Sequence, residues 1–302
     1  MQILVGQNHL DTLGGSETFT YTLIKGLKKL GNEVELLVGQ PNRLGIMSDK
    51  IEADLNVKAN RLTTSYDACF LSHQSSVKRY IEFSNGKPLQ NVFQIVHGTI
   101  PPEEQPVLHE GLKYIAISKE VQNYLRIKYG LDSVYISNFI DLDRFRFREI
   151  RTQLKTCLSL SQSQDFNNML QSVCAKKGVK FYHNNKFTNP IFDIENQIYK
   201  ADLVFSLGRG CYESMACGRN VIVADHRPYQ NSYSDGFLTR SNYYQFHEHN
   251  CSGRKMKIPT TEEFLLNEME KYNQSYGYEL RQVALKSLNM TKNCKLLLKQ
   301  IE

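Results

Sequence analysis

MQILVGQNHLDTLGGSETFTYTLIKGLKKLGNEVELLV, residues 1–38, holds the pattern from which the fold follows. The apolar run over 2–5 is bounded by turn-forming residues and reads as a buried strand. From Gly15 to Leu30, the residues Phe19, Leu23, Leu27 and Leu30 recur at spacings of four, four and three, which is one apolar face of a helix. Gly31-Asn32 ends that helix, and the run over 33–38 is a second strand. A strand, a helix and a strand in this order form a βαβ unit, the building block of a parallel sheet.

The same alternation continues outward. Short apolar runs over 68–72, 91–96, 114–117 and 133–136 extend the sheet to six strands. The charged stretch DLDRFRFREIRTQLK, 141–155, carries no strand pattern and places a boundary near 148–152. A second series follows, with strands over 156–160, 179–183, 203–207 and 221–224 and helices over 165–177, 191–200 and 211–218. Helical tails cover 260–272 and 279–301, the latter with Leu280, Val283, Leu285 and Leu288 on an imperfect apolar face. The expected organisation is therefore a first domain over 1–150, a second and shorter one over 151–278, and a C-terminal helix over 279–302. Two doubly wound halves imply a cleft, with ligands in the loops just after strands.

Composition narrows the function classes. The 302 residues are 41% hydrophobic and 23% charged, an ordinary globular balance that needs no disulfide or structural metal. Lys plus Arg number 37 against 31 acidic residues, a net charge of +6 that is too small and dispersed for a nucleic-acid footprint. Seven cysteines without a C-x-x-C pair read as reduced thiols, and the N-terminus lacks a secretory pattern, so a cytoplasmic location is expected. No apolar run approaches the roughly 20 residues needed to cross a bilayer. Membrane contact would be peripheral, at the inner face: Lys25, Lys28 and Lys29 on the first helix could meet anionic lipid, or simply form its solvated side.

Candidate binding residues fall in the loops after strands. Gly14, Gly15 and Ser16 stand directly before the first helix, where free N–H groups and the positive dipole end attract phosphate; the alternative is a turn with Ser16 as N-cap. His97 leaves the fourth strand, where it could bond a substrate hydroxyl or phosphate, with Gly98 giving a ligand room. Ser118 and Asn138 hold equivalent positions after the next two strands. The sharpest segment is ADLVFSLGRGCYESMACGRNVIVAD, 201–225. There Gly208 and Gly210 could cradle an anion, Arg209 supplies a planar cation, and Glu213, in the first helical turn, could accept bonds from two ribose hydroxyls.

At these residues the chain resembles the retaining nucleotide-sugar glycosyltransferases of the GT-B fold, in particular glycosyltransferase family 4, the group 1 glycosyltransferases. The resemblance rests on GGSETFTYTLIKGLKKLGNEVELLV, VHGTIPPEE, YIAISKEVQNYL, YISNFIDLDRF and the 201–225 segment, in the family's order. It implies two Rossmann-like domains facing across a cleft, the acceptor on the first, the sugar nucleotide on the second, and a terminal helix crossing back to the first. It implies a hexosyltransferase of the polysaccharide-biosynthesis type, using a nucleotide-diphosphate sugar as donor and a glycan or lipid-linked acceptor, without cofactor or metal. Carried over by position, Gly15 approaches the donor phosphates, His97 the donor sugar and Glu213 the ribose, while Ser118 and Asn138 line the cleft. Two features depart from the pattern. The family's first glutamate, eight positions before Glu213, is Phe205 here, and LSLSQSQDF lacks the usual Arg and Lys. Arg209 could restore the charge, and Ser206 could contact the sugar.

Three other readings share these residues. A non-catalytic subunit with a degenerate site would bind a sugar nucleotide or a partner enzyme. A sugar-nucleotide epimerase or hydrolase has the same architecture. A dehydrogenase would use Gly208-x-Gly210 and Asp225, but its third glycine position is Glu213, whose bulk opposes close helix packing. His247-Glu248-His249 reads as a solvated segment, and no metal-binding spacing stands out.

Overall fold

The computed structural model describes residues 1–63, 65–227 and 232–301. The chain divides into two compact units, Met1–Phe139 with Met290–Glu302, and Ile140–Asn289.

The first unit is built from β1 (Gln2–Gln7), α1 (Gly15–Lys29), β2 (Glu33–Val38), α2 (Ile46–Leu55), β3 (Ala68–Ser72), α3 (Gln74–Ser84), β4 (Val92–Val96), β5 (Leu112–Ala116), α4 (Lys119–Tyr129) and β6 (Val134–Tyr135). Its strands pair in parallel in the order β2-β1-β3-β4-β5-β6. β3 and β4 are buried at every position, as befits central strands covered on both faces. Because strand order reverses between β1 and β3, the loops leaving those two strands diverge and open a crevice at the carboxyl edge.

The second unit contains β7 (Thr156–Ser159), α5 (Gln164–Lys176), β8 (Lys180–His183), α6 (Glu195–Ile198), β9 (Leu203–Ser206), α7 (Arg209–Ala216), β10 (Asn220–Val223), β11 (Tyr233–Ser234), β12 (Gly236–Phe237), α8 (Tyr243–His247), β13 (Ile258–Pro259), α9 (Glu262–Met269) and α10 (Gln274–Ser287). Its main sheet runs β12-β10-β9-β7-β8, parallel except for β12. The order again reverses beside the first strand, here between β7 and β9. The division between units falls after Phe139, ahead of the charged stretch, because Ile140, Leu142 and Phe145 are buried in the second core with Leu158, Val204 and Val221.

The tail expected as one helix over 279–301 is broken. α10 ends at Ser287 and α11 (Met290–Leu298) begins anew in the first unit. Leu288 and Asn289 leave the helix to pair with Ile140, whose N–H donates to the Leu288 carbonyl at 2.7 Å. α11 packs on α1 where Gly26 leaves space: a Cβ there would lie 2.5 Å from Cys294 Sγ and 2.8 Å from Met290 Cγ. The helix expected over 191–200 shrinks to α6, since Arg144 holds the segment before it through the Phe192 carbonyl and Glu195. All seven cysteines are free and buried. No helix of the described residues is long and apolar enough to cross a membrane.

Candidate functional site

In the first unit, α1 starts at Gly15 with Gly14, in extended conformation, as N-cap. Ser16 is thus inside the helix and not its cap; its hydroxyl donates to Glu17 Oε2 at 3.1 Å. Glu17 is buried and also accepts from Thr12 Oγ1 at 3.2 Å, so a fixed carboxylate sits behind the start of α1. Beside it, His9 Nδ1 lies 2.7 Å from Asp11 Oδ1, and Arg43 Nε donates to Asp11 Oδ2 at 2.8 Å. Burial alone would raise the Asp11 carboxyl, but the Arg43 bonds and the His9 and Arg43 charges outweigh it and hold it below its ordinary value.

His97 stands at the end of β4 with Nε2 3.0 Å from Ser72 Oγ. Its ring meets the Phe19 edge at 4.9 Å between centroids, and Phe19 also touches Phe139, the residue after Asn138. The structure therefore links His97, α1 and the segment containing buried Asn138. Gly98 does not open room for a ligand: a Cβ there would be 2.0 Å from Glu104 Oε2, so the Glu104 carboxylate fills that space. Ser118 is the N-cap of α4, accepting from Val121 N at 3.2 Å, and is fully buried in that role.

Two residues of this edge escaped the sequence reading. His73, at the end of β3, stacks on His97 at 5.5 Å and has φ +70° and ψ 155°, a region that side chains rarely adopt and that costs of order 1–3 kcal/mol. Its Nδ1 bonds Gln7 Oε1 at 2.8 Å. With the Gln7 amide in this orientation the oxygen accepts, so the bond is made by the tautomer with its proton on Nδ1. Burial, with a contribution from the His9 charge, lowers the His73 pKa to about 4, so the ring is neutral near pH 7. Gln7 is almost wholly buried and its Nε2 has no hydrogen-bond partner, leaving a donor beside that ring. The available signal was partial: Gln7 and His73 are polar residues just after apolar strand runs, but that β1 and β3 flank the order reversal shows only in the structure.

In the second unit, α7 begins at Arg209, two residues earlier than expected, with Gly208 at φ +57° as N-cap. That shift moves Glu213 out of the first turn and places it one turn beyond Arg209 on the same face. Arg209 Nε donates to Glu213 Oε1 at 2.9 Å, and both residues are only 7% exposed. The Arg209 position between two glycines thus has a structural partner. Burial disfavours both charges, raising the Glu213 carboxyl and lowering the Arg209 guanidinium, while the opposite charge of each offsets part of that cost. Gly210 is close-packed and not open: a Cβ would lie 2.2 Å from Ser206 Oγ and 3.1 Å from Leu160 Cδ1. Ser206 is accordingly buried beneath the helix start.

Adjacent loops add Ser161 and Arg227, which the sequence reading did not select, around Asp225, which it considered only for a dinucleotide. Ser161, after β7, donates to Asp225 Oδ1, and Asp225, after β10, accepts from Arg227 Nε at 2.8 Å. Arg227 reaches the surface, 35% exposed at its side chain. Of the segment expected to be solvated, Glu248 is exposed but His247 is not: it is buried, lies 3.0 Å from the Tyr212 hydroxyl and 3.2 Å from that of Tyr243, and burial lowers its pKa to about 4. Among the described residues, no three His, Cys, Asp or Glu side chains gather as a metal-binding group.

No protein-family model and no curated protein matches the chain. Solved structures do. WaaG, a glycosyltransferase involved in lipopolysaccharide biosynthesis, superposes with a TM-score of 0.58 at 9% identity, covering 99% of both chains. MurG of Acinetobacter baumannii gives 0.53 at 12% identity, again over 99% of both chains. T4 phage BGT in complex with UDP and Mn2+ gives 0.53 at 9% identity over 100% of both. The fold of this chain, an α/β fold of two doubly wound units, is the GT-B fold of these glycosyltransferases.

Proposed function

We propose that the chain is a glycosyltransferase that moves a sugar from a nucleotide-diphosphate sugar to a hydroxyl of a glycan or lipid acceptor, with retention of anomeric configuration. The observation that carries this reading is the start of α7 at the strand-order reversal of the second sheet, with Arg209 and Glu213 buried behind it. A helix N-terminus at that position favours the donor diphosphate. Glu213, held in place by Arg209, accepts from the ribose hydroxyls, and Arg209 and Arg227 supply the positive charge that LSLSQSQDF lacks. The leaving diphosphate takes the acceptor's proton on the face it departs from, so catalysis is placement and electrostatic stabilisation without a protein nucleophile or a metal. In the first unit, Gly14, Gly15, Ser16 and His97 meet the donor's phosphate and sugar, and Ser118 and Asn138 stand behind the acceptor edge.

UDP-type donors are the first to try, because UDP or UDP-glucose is bound in structures of T4 phage BGT and of alpha-glucosyltransferase. A cytoplasmic location beside a membrane surface belongs to the same proposal, with Lys25, Lys28 and Lys29 as the basic residues concerned; Lys28 also donates to the Leu55 carbonyl at 2.6 Å. The test is a screen of sugar nucleotides for release of nucleoside diphosphate. Release from one donor, lost in Glu213→Gln, is the expected result; no release from any donor contradicts transfer.

A second reading, a sugar-nucleotide-binding subunit without turnover, is favoured by one observation: the Glu213 carboxylate is buried and engaged by Arg209. Binding of a sugar nucleotide without hydrolysis or transfer to any acceptor would select it.

A further inference from the structure

We infer that the second unit carries a binding site for a neutral saccharide at the amino-terminal edge of its sheet, walled by Phe147, Tyr278 and Gln274. A pocket of about 440 Å³ opens there, lined by Phe147, Glu149, Asn273, Gln274, Ser275 and Tyr278 above a floor of Gly218 and Ile150. That volume falls in the range of small-ligand sites.

Its position is fixed by the strands. Gly218 lies just before β10, and the Asn220 side chain, at the start of that strand, holds the Asn273 backbone at both groups, Nδ2 donating to the Asn273 carbonyl at 3.0 Å and Oδ1 accepting from Asn273 N at 3.2 Å. The pocket is therefore at the opposite end of the strands from Gly208 and Ser161. Four-residue strands put about 13 Å between the two edges. This site is separate from the proposed donor site and does not depend on it.

Three features define the ligand. The first is an exposed aromatic pair: Phe147 and Tyr278 are 40% and 59% exposed, with ring centroids 6.0 Å apart at 86°. Two neighbouring exposed rings offer an apolar surface, and ring faces suit the C–H faces of sugars. The second is charge. The described residues lining the pocket include Glu149 but no Lys, Arg or His, so nothing there neutralises a phosphate. Anionic ligands, nucleotides among them, are disfavoured. The third is a set of hydroxyl-matching groups. Gln274 Nε2 donates to the Ile150 carbonyl at 2.8 Å, which orients the amide oxygen as an acceptor. Tyr278 adds a phenolic hydroxyl that makes no hydrogen bond among the described residues.

The floor is close-packed. A Cβ on Gly277 would lie 2.2 Å from the Gly218 carbonyl oxygen, so α10 rests directly on that turn. Gly218, at φ +75°, would in turn meet Phe147 Cδ2 at 2.5 Å, so the ring is in contact with that backbone.

The test is saturation-transfer NMR on the full chain with maltotriose, cellotriose, galactobiose and chitotriose, without nucleotide. The expected result is transfer to at least one saccharide, weakened about tenfold in Tyr278→Ala and in Phe147→Leu and weakened less in Tyr278→Phe, which keeps the ring and loses only the hydroxyl. Both positions are surface-exposed, and matching melting curves of variants and parent exclude a folding defect. Transfer to none of the four, or transfer unchanged in both ring variants, overturns the proposal. So does concentration-dependent dimerisation that Tyr278→Ala abolishes, which would assign the rings to a second copy of the chain. Because the readout needs neither donor nor turnover, its failure is distinct from failure of the transferase reading.

Discussion

At the scale of the residue, the Arg209–Glu213 pair carries both structure and the proposed chemistry. Each is buried and each neutralises the other, so removing one leaves an unpaired buried charge. Arg209→Ala is expected to lower stability by about 3–5 kcal/mol, measured by denaturant unfolding. The apolar double variant Arg209→Met/Glu213→Leu is expected to recover most of that loss, since a buried ion pair contributes little net stability over well-packed apolar side chains. A double variant no more stable than Arg209→Ala would contradict this. The two residues were legible from their sequence context, but their pairing was not. It depends on the helix starting at Arg209, and helix starts are poorly marked when a glycine, with no side-chain cap, holds the N-cap.

Buried histidines set a pH dependence at the same scale. His73 and His247 stay neutral in the fold because burial lowers each pKa to about 4, whereas in the unfolded chain each takes up its proton near 6.5. The unfolded state binds more protons between those values, so this stability is full above pH 6.5 and is lost as pH falls toward 4. About 2 kcal/mol per group is expected to be gone at pH 5. His247→Gln keeps an acceptor for the tyrosine hydroxyls and should flatten part of the decline between pH 7 and 5. A parental stability that does not change over that range would refute the assignment.

At the scale of the element, α1 serves two faces. Its start shapes the carboxyl edge of the first sheet, and Gly26 admits α11. Gly26→Ala is expected to cost about 1–3 kcal/mol in thermal or denaturant unfolding through overpacking against Cys294 and Met290. Adding Cys294→Ala, which removes the nearest atom, should restore part of it. An unchanged midpoint for the single variant would mean the helices do not meet there. The α1 boundaries were readable from the spacing of Phe19, Leu23 and Leu27, all buried. The break between α10 and α11 was not, because Leu288-Asn289 contains neither glycine nor proline and is set by tertiary pairing to Ile140. The helices α2, α3 and α4 also escaped the sequence reading. α3 and α4 are amphipathic but short, and α3 buries only Ser76 and Val77.

At the scale of the whole molecule, two sheets with the same reversal of strand order turn one sequence pattern into two carboxyl-edge crevices. The alternation of apolar runs and helical stretches made the doubly wound class readable, since buried parallel strands are the most distinctive pattern a sequence offers. Strand order was not readable, because it depends on which strands meet in space. For the same reason the proximity of Gln7, His73 and His97 could not be derived from residues so far apart in the chain.

In the proposed reaction the start of α7 binds a nucleotide-diphosphate sugar. Calorimetric titration of UDP-glucose and related sugar nucleotides into the parent, and into the Arg209→Met/Glu213→Leu variant once its unfolding curve shows it folded, tests this. Saturable binding of one donor by the parent and none by the variant is expected; equal affinity in both, or binding of no donor by the parent, would contradict the proposal.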